Sequence, residues 1–414
     1  MFAESMASIE ERVLTAILTR IRRHRREAPL PNEGLPVSSS VAAAPAKLRN
    51  AQFSDFEAVR ELKRKWHLIP DPLENWERLW RHNPALTQQH SERPIGWVLE
   101  AEGKVVGYLG NISLLYRYGD QSLTAVAGHG FVVESAYRAA SLSLMSAFFC
   151  QKSIDLCLTT TAIEAVGKIA RLFKSEPLPQ SDYETVLFWV LQSSSFARTL
   201  INKLDLGPSY SRIGRTLVSA AIGADRILHR RWPKKSSKYF EVREISPSEI
   251  GDDFEILWIA KLKEGQRLMA DRSSAVLKWH FEIPGEQGTT RVLCCHSNRE
   301  LVGYAIIRNE TTRADGLRRS IIADALVKQD DPDILRVLFA AAYEHAEHVG
   351  SDVLEVLGFP GNIRQVCSEG NTYHRTFPSC PFYYKALDPV LHKSLSNAAA
   401  WYATPYDGDT TLMP

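Results

Sequence analysis

The sequence predicts an α/β (α+β) protein that contains two tandem copies of one domain. Strand-like apolar runs and helix-like periodic segments alternate along most of the chain, which is typical of a mixed fold. Similar strings recur at a long spacing, KVVGYLGNI at 104–112 and ELVGYAIIR at 300–308, an offset of 300 − 104 = 196 residues. This repeat is far longer than the repeats of solenoid proteins, so it indicates a duplicated domain.

The first copy orders its elements as two helices, a hairpin, a strand, a helix, a strand, a helix and a strand. FSDFEAVRELKRKW places its apolar residues on one helical face, and AEGK separates two apolar runs as in a β-hairpin. The predicted helices cover 53–66, 75–84, 141–153 and 161–175, and the predicted strands cover 95–118 as a hairpin, 122–133, 154–161 and 183–191. The second copy repeats this order, and its VLKWHFEIP resembles ERLWRHNP of the first.

Segments of other composition flank and join the two copies. The predicted boundaries are 1–47 for an N-terminal basic helix and flexible linker, 48–191 for the first domain, 192–238 for a helical basic connection, 239–390 for the second domain and 391–414 for a C-terminal tail. The basic clusters at 20–27 and 226–238 have two interpretations. They are either solvated surfaces or peripheral contacts with an anionic membrane.

Composition excludes several classes of protein. The 414 residues carry a net charge of +2, so no global field favours nucleic acid and no nucleic-acid partner is expected. The six cysteines show no CxxC and no Cys/His spacing of a metal site. We therefore expect no metal, reduced thiols and a cytoplasmic location. The sequence shows neither a signal peptide nor an apolar run long enough to span a bilayer.

The stretch VVESAYRAAS at 132–141 lies where an apolar strand runs into a helix. The first turn of a helix has unpaired N–H groups and a partial positive charge, which suit it to phosphate groups. Arg138 adds a guanidinium for charge-assisted hydrogen bonds, and the alanines and serines leave room for a ligand. From the residues alone, this turn is either a phosphate site or a simple helix start.

This stretch is similar to the signature of the GNAT family of acyl-CoA-dependent N-acyltransferases, Val-x-Pro-x-Tyr-Arg-Gly-x-Gly-x-Gly. Val133, Tyr137 and Arg138 stand at the Val, Tyr and Arg positions, small residues stand at the glycine positions, and Ser135 replaces the proline. The resemblance implies domains with a mixed, mostly antiparallel central sheet flanked by helices, and acetyl-CoA or another acyl-CoA as co-substrate. The residues that it implies for cofactor binding are Phe131, Val132, Val133, Arg138, Ala139, Ala140, Ser141, Leu142 and Ser143.

Three residues are the catalytic candidates. Acyl transfer to an amine needs a base, donors for the developing oxyanion and a proton for the leaving thiolate. His129 has the pKa range of a general base, although a strand histidine with satisfied hydrogen bonds is the alternative interpretation, and Glu134 ends the same strand. The GNAT pattern places a proton-donating tyrosine on the next helix, where this chain has Phe173, so Tyr183 is the candidate that replaces it.

The second copy departs from the pattern at the corresponding loop. VKQDDPDILRVL at 327–338 places Asp330, Asp331 and Asp333 before the helix. Three carboxylates repel a pyrophosphate but suit a helix N-terminus, so no acyl-CoA is expected there. The chain ends in WYATPYDGDTTL at 401–412, which is similar to the ending of double-domain GNAT proteins from bacterial polysaccharide gene clusters.

These observations predict an acyl-CoA-dependent N-acyltransferase, similar to N-acetyltransferases, that acts on a small-molecule amine such as an amino sugar or amino acid. Two alternatives stay open. One is a catalytically degenerate GNAT-fold scaffold in a biosynthetic complex, which the missing glycines and the missing tyrosine favour. The other is an aminoacyl-tRNA-dependent transferase of the Fem type, which the near-neutral charge argues against.

Overall fold

The computed structural model describes residues 44–89, 93–202, 208–234, 236, 238–285, 289–310 and 316–413. The predicted N-terminal basic helix and most of the linker after it lie outside the described residues. Among the described helices, none combines the length and the apolar character that crossing a membrane requires.

Helices form where the apolar periodicity of the sequence predicts them. In chain order they are α1 (Phe56–Lys65), α2 (Leu73–Trp80), α3 (Pro84–Gln89), α4 (Ser141–Phe149), α5 (Glu164–Leu172), α6 (Ser193–Asn202), α7 (Pro208–Leu228), α8 (Asp252–Leu262), α9 (Ser274–Phe281), α10 (Pro332–His348), α11 (Gly361–Ser368) and α12 (Pro389–Leu395). The helices α6 and α7 occupy the connection between the copies, as expected from its composition. In the second copy, Asp331 caps α10 by accepting from the Asp333 N–H at 2.7 Å, which confirms the helix-start interpretation of that loop.

The strands follow the predicted order in both copies. They are β1 (Lys47–Asn50), β2 (Gly96–Ala101), β3 (Lys104–Tyr118), β4 (Gln121–Val133), β5 (Leu156–Thr159), β6 (Glu176–Pro177), β7 (Thr185–Val190), β8 (Glu241–Ile245), β9 (Leu268–Ala270), β10 (Thr290–Ser297), β11 (Glu300–Glu310), β12 (Arg319–Val327), β13 (Val353–Val356), β14 (Tyr373–Thr376) and β15 (Tyr383–Ala386). The two similar strings of the sequence lie in β3 and β11, each the second strand of a hairpin.

The main paths of the two sheets have the same strand order, and the halves exchange strands: the first sheet receives β15 and the short β9 from the second half, and the second sheet receives β7 from the first. The first sheet runs β1-β2-β3-β4-β5-β15-β6 and the second runs β8-β10-β11-β12-β13-β7-β14. Thus β7 of the first copy pairs with β13 of the second, and β15 of the second pairs with β5 of the first. The boundary at 191, drawn from the sequence repeat, therefore does not separate the two sheets.

Each sheet contains one pair of strands that diverge. All neighbouring strands are antiparallel except β4 with β5 and β12 with β13. The strands β4 and β5 pair as far as Ala127 and Leu158, after which β4 continues to Val133. In the second sheet, β12 pairs with β13 as far as Ile322 and then continues to Val327. The sheets are thus mixed and mostly antiparallel, in agreement with the predicted fold class.

Apolar layers on both faces fix the first sheet. The helices α1 and α2 bury Val59, Leu62 and Trp76 in the larger core cluster. The helix α4 buries Leu144 and Phe148 in a separate cluster, which also includes Val126 of β4. Successive residues of β4 contribute to these two clusters in turn, so the end of β4 is held between two packed layers.

The predicted tail is buried between the two halves rather than exposed. Most residues from 400 to 413 are buried, and Trp401 forms an isolated bridge with Leu268. Arg308 of β11 donates to the Thr411 carbonyl at 3.0 Å, and Arg78 of α2 donates to the Leu412 carbonyl at 3.2 Å. The tail therefore bonds to elements of both copies.

Several basic residues of the connection bond to the protein itself. Arg226 donates to the Leu191 carbonyl at 2.7 Å and to the Tyr343 hydroxyl at 2.9 Å. Arg231 stacks over the Tyr373 ring at 4.2 Å, and Lys238 pairs with Asp333. These residues use their charges in contacts within the protein, whereas binding to an anionic membrane would need the same charges. The membrane interpretation of 226–238 therefore stays a prediction without structural support.

Candidate active site

The predicted phosphate loop follows β4 as a short 3₁₀ turn, Ser135–Ala140, that leads directly into α4. Among the described residues, no side chain caps the α4 N-terminus, although the Ser141 N–H donates to the Arg138 carbonyl of the turn. The partial positive charge of the helix start would favour an anion there. Arg138 is exposed on this turn. Ser143 Oγ donates to the Ala140 carbonyl at 2.7 Å, which directs its proton into the helix.

Beyond Ala127, β4 has an edge that β5 does not cover. The parallel pairing ends at Leu158, while β4 runs on through residues 128–133. Among the described residues, no side chain is hydrogen-bonded to the backbone of 128–133 on this edge. Backbone N–H and C=O groups need partners when they are buried, so an edge of this kind is suited to an extended amide-containing ligand.

The matching edge in the second sheet is occupied by side chains. Tyr402 of the tail donates its hydroxyl to the Ala325 carbonyl at 2.7 Å. Lys261 of α8 donates to the Val327 carbonyl at 2.7 Å and also pairs with Asp330 of the acidic loop. Lys261 is completely buried. Together, Lys261 and Tyr402 therefore cover the edge of β12 that corresponds to the uncovered edge of β4 in the first copy.

A cleft of about 440 Å³ lies between the two halves of the molecule. Its floor is the face of the second sheet, from β14 through β7, β13 and β12 to β11. One wall is the turn of residues 160–164, which joins β5 to α5, and the others are the loop 377–381 and the tail. The turn that follows β5 thus lines the cleft, whereas no residue of β4 does. The cleft is large enough for a small-molecule ligand.

Comparison with known proteins identifies this architecture. No family model matches the chain, and no curated protein matches it in sequence. A GCN5-related N-acetyltransferase from Anabaena variabilis is similar in structure, with a TM-score of 0.51 at 11% identity over 83% of this chain and 73% of that one. N-myristoyltransferase from Saccharomyces cerevisiae, solved with myristoyl-CoA, gives a TM-score of 0.50 at 12% identity over 86% of this chain and 81% of that one. This chain has the GNAT fold in two tandem copies.

At these identities the likeness concerns the GNAT fold alone. The sequence-based expectation of that fold is confirmed, and so is its duplication. The diverging β4 and β5 and the helix start after β4 lie in the first domain, whereas the cleft lies between the two domains and has the second sheet as its floor. The roles of individual residues depend on the local geometry of this chain.

His129 lies in a buried chain of polar side chains and does not line the cleft. Its Nε2 faces Asp71 Oδ2 at 3.1 Å, and its Nδ1 faces Asp409 Oδ2 at 3.3 Å. Asp71 also accepts from Lys63 Nζ at 2.6 Å, and Thr160 Oγ1 donates to Asp409 Oδ1 at 2.7 Å. Both ring nitrogens thus have hydrogen-bond partners, as in the alternative interpretation of a strand histidine with satisfied hydrogen bonds. Thr160 also lines the cleft, so it connects this group of polar side chains to the cleft.

The charges of these buried side chains shift the pKa values of His129 and Asp71. Burial on its own would lower the pKa of His129, but the Asp71 charge and the hydrogen bonds to Asp409 and Asp71 outweigh it, so the pKa is raised. Burial also opposes ionisation of Asp71, yet His129 and Lys63 hold the pKa of that carboxyl well below its usual range. The arrangement therefore favours a charged imidazolium between two carboxylates.

The other catalytic candidates occupy different environments. Glu134 Oε1 pairs with Lys65 Nζ at 2.6 Å beside the loop, with 25% of its side chain exposed. Tyr183 lines the cleft and is buried, with its hydroxyl 3.3 Å from the Thr404 carbonyl. Burial raises the pKa of Tyr183 well above its ordinary value. Phe173 stacks on Phe149 with ring centres 5.3 Å apart, so it belongs to the packing of α4 against α5.

The structure adds residues that sequence reasoning missed. Asp71 and Asp409 bond to His129 from positions 58 and 280 residues away in the chain. Thr160, directly after β5, and Arg375 of β14 line the cleft. The Asp-Gly-Asp string of the tail was the signal that was available for Asp409, and nothing in the sequence marks the other three.

Proposed function

We propose that the protein is an acyl-CoA-dependent N-acyltransferase whose first GNAT domain binds the acyl-CoA. The observation that carries this proposal is the uncovered edge of β4 beyond Ala127, which leads to the uncapped start of α4. The second domain, with the same topology, has this edge closed by Lys261 and Tyr402. A selective opening in one of two similar domains favours a ligand site there.

In the proposed reaction, the amine nitrogen attacks the thioester carbon, the carbon–sulfur bond breaks and CoA leaves with a proton. The N–H groups of Phe131 and Val133 at the end of β4 are the proposed donors to the developing oxyanion. Tyr183 is the proposed proton donor, because it lines the cleft and carries a phenolic proton. Glu134 is the proposed base, whereas His129 positions Asp409 and Thr160 at the cleft.

The acceptor is proposed to be a small-molecule amine, such as an amino sugar or an amino acid, that enters through the cleft between the domains. The acyl donor is proposed to be acetyl-CoA or a longer acyl-CoA.

The test is calorimetric titration of the full chain with acetyl-CoA, octanoyl-CoA and myristoyl-CoA. We expect one site per chain. Reversing the charge of Arg138 with Arg138→Glu is expected to weaken binding about 10- to 100-fold, because a charge-assisted contact with phosphate is lost and a repulsive one is gained. The matched control is Arg230→Glu, an exposed arginine of the connection, which is expected to leave binding unchanged.

Two results would contradict the proposal. Equal binding by wild type and Arg138→Glu would mean that the loop before α4 does not hold the phosphates. Absence of binding for all three acyl-CoAs would favour the degenerate GNAT-fold scaffold instead.

A further inference from the structure

One basic side chain of the cleft has more hydrogen-bond donors than partners. Arg375 of β14 lines the cleft, and its Nη2 donates to Glu355 Oε2 at 2.9 Å. A guanidinium has five N–H donors, and among the described residues this is the hydrogen bond that the Arg375 side chain makes. The side chain is 43% exposed, and the guanidinium lies over the Phe377 ring at 5.3 Å from its centre. Arg375 thus presents an oriented guanidinium edge to a ligand.

The carboxylate beside Arg375 already has two cationic partners. Glu355 Oε1 accepts from Arg319 Nε at 3.3 Å, while its Oε2 accepts from Arg375. Glu355 and Arg319 are both buried, although Glu355 also lines the cleft, and Arg375 is the most exposed member of the trio. The remaining N–H donors of Arg375 would form charge-assisted hydrogen bonds with an anionic group of a ligand.

The floor of the cleft separates this guanidinium from a second charged region. Val186, Ile321 and Ala323 make most of the floor between them apolar, with Glu355 of β13 among them, and β11 places Arg308 and Glu310 at the far edge. The strands β14 and β11 are four positions apart in the sheet, which corresponds to roughly 19 Å at ~4.8 Å per strand. A ligand whose anionic group binds Arg375 therefore extends over a mostly apolar floor.

We infer that the cleft takes an amine acceptor whose opposite end carries an anionic group, a carboxylate or a phosphate, and that Arg375 binds this group. The inference rests on the proposed function for the fate of the amine. The contact between Arg375 and the anion is measurable without turnover. It narrows the acceptor from amines in general to amines with an anionic group beyond an apolar spacer.

The experiment compares probes that differ in one group. Calorimetry on the full chain uses hexylamine, 6-aminohexanoate and 6-aminohexyl phosphate, which share the amine and the spacer. We expect at least one anionic probe to bind about 10-fold or more tightly than hexylamine, since hydrogen bonds to a charged group contribute on this scale. The tighter of the two anionic probes distinguishes a carboxylate acceptor from a phosphate acceptor.

Substitution of Arg375 assigns the preference to that residue. Arg375→Gln is expected to abolish the preference for anionic probes and to leave hexylamine binding unchanged. The double variant Glu355→Gln/Arg375→Gln also removes the carboxylate that pairs with Arg375 and is expected to behave in the same way. The control is Arg243→Gln, an exposed arginine that pairs with Glu241 on β8, with wild-type preference expected.

Each outcome decides one claim. Equal affinity of wild type for all three probes would overturn the inference, and so would an equal loss for all three in Arg375→Gln. If acetyl-CoA does not bind, the proposed acyl transfer fails, but the anion preference still decides the role of Arg375. If transfer occurs, Arg375→Gln is expected to raise KM for the anionic amine while kcat stays near the wild-type value.

Discussion

At the scale of single residues, the partners of His129 determine its protonation state. In the imidazolium form both ring nitrogens of His129 donate, one to Asp71 and the other to Asp409. The raised pKa of His129 favours this form. His280 illustrates the opposite case, because burial and then the charges of Arg78, Arg308 and Arg272 lower its pKa well below the ordinary value.

These two histidines predict opposite pH dependences of stability. The raised pKa of His129 means that its contribution is complete below the unfolded value of about 6.5 and is lost as pH rises through the folded value. His129→Gln should therefore lower the free energy of unfolding most at pH 5 to 6, by about 3 kcal/mol, and less at pH 9. His280→Gln, whose pKa shift has the opposite sign, should cost most above pH 6.5 and less below it. Urea unfolding between pH 5 and pH 9 measures both.

The range from pH 5 to pH 9 separates the titration of His129 from that of Asp71. The lowered pKa of Asp71 means that its contribution is present above about pH 4 and is lost as pH falls below that. From pH 5 upward Asp71 therefore stays ionised in both states. A constant cost of His129→Gln across the range would show that the pKa of His129 is the same in the folded and unfolded states and would contradict the imidazolium assignment.

The sequence could mark His129 but not its environment. Its position at the end of an apolar strand and its titration range were visible locally, and they suggested a base. Its actual role depends on Asp71 and Asp409, which no periodicity or spacing connects to it. Pairings over such separations are set by the packing of whole elements, so a local pattern carries no information about them.

At the scale of elements, the tail joins the charged clusters of the two domains through two aspartates. Asp407 accepts from Arg272 Nη2 at 2.9 Å in the second domain, and Asp409 accepts from Thr160 in the first. Gly408 between them has φ +130°, and a Cβ there would lie 2.3 Å from the Thr160 methyl group. Only glycine fits this approach of the tail to the end of β5.

Gly408→Ala is therefore expected to lower the free energy of unfolding by about 3 kcal/mol or more, since backbone strain of about 1–3 kcal/mol adds to the clash with Thr160. The matched control is Gly285→Ala, where φ is +80° but nothing lies within 4 Å of the new Cβ, so strain acts alone. Urea unfolding of both variants separates the two contributions. Equal costs would mean that the tail can move away from Thr160 without loss.

Sequence patterns predicted the helices and strands of the fold better than they predicted which strands pair with each other. The GY pairs of β3 and β11 marked the repeat, and the acidic loop before α10 indicated a helix start without a phosphate site. The exchange of β7 and β15 was invisible, because each is a short apolar strand in the expected position of its own copy. Such strands fit either sheet equally well, and the choice depends on the connections and on the packing of both domains.

At the scale of the whole molecule, several elements make the two domains interdependent. Each sheet contains a strand from the other half, β9 of the second half pairs with β3 of the first, and the buried tail bonds to both. Removing either half would leave unpaired strand edges and exposed apolar faces in the other. The cleft exists only when both halves are assembled.

The full chain is therefore expected to unfold in one cooperative transition, although it contains two GNAT domains. Far-UV circular dichroism and tryptophan fluorescence should give coincident urea midpoints, because neither domain is stable after the other has opened. A fragment of residues 44–202 should fail to fold alone, since it lacks β15 and the tail. Co-expressed with residues 208–413, it should form a soluble heterodimer that keeps the exchanged strands. Two separated transitions, or a folded 44–202 fragment, would show that the exchange contributes little, and the cleft would then belong to two domains that can move apart.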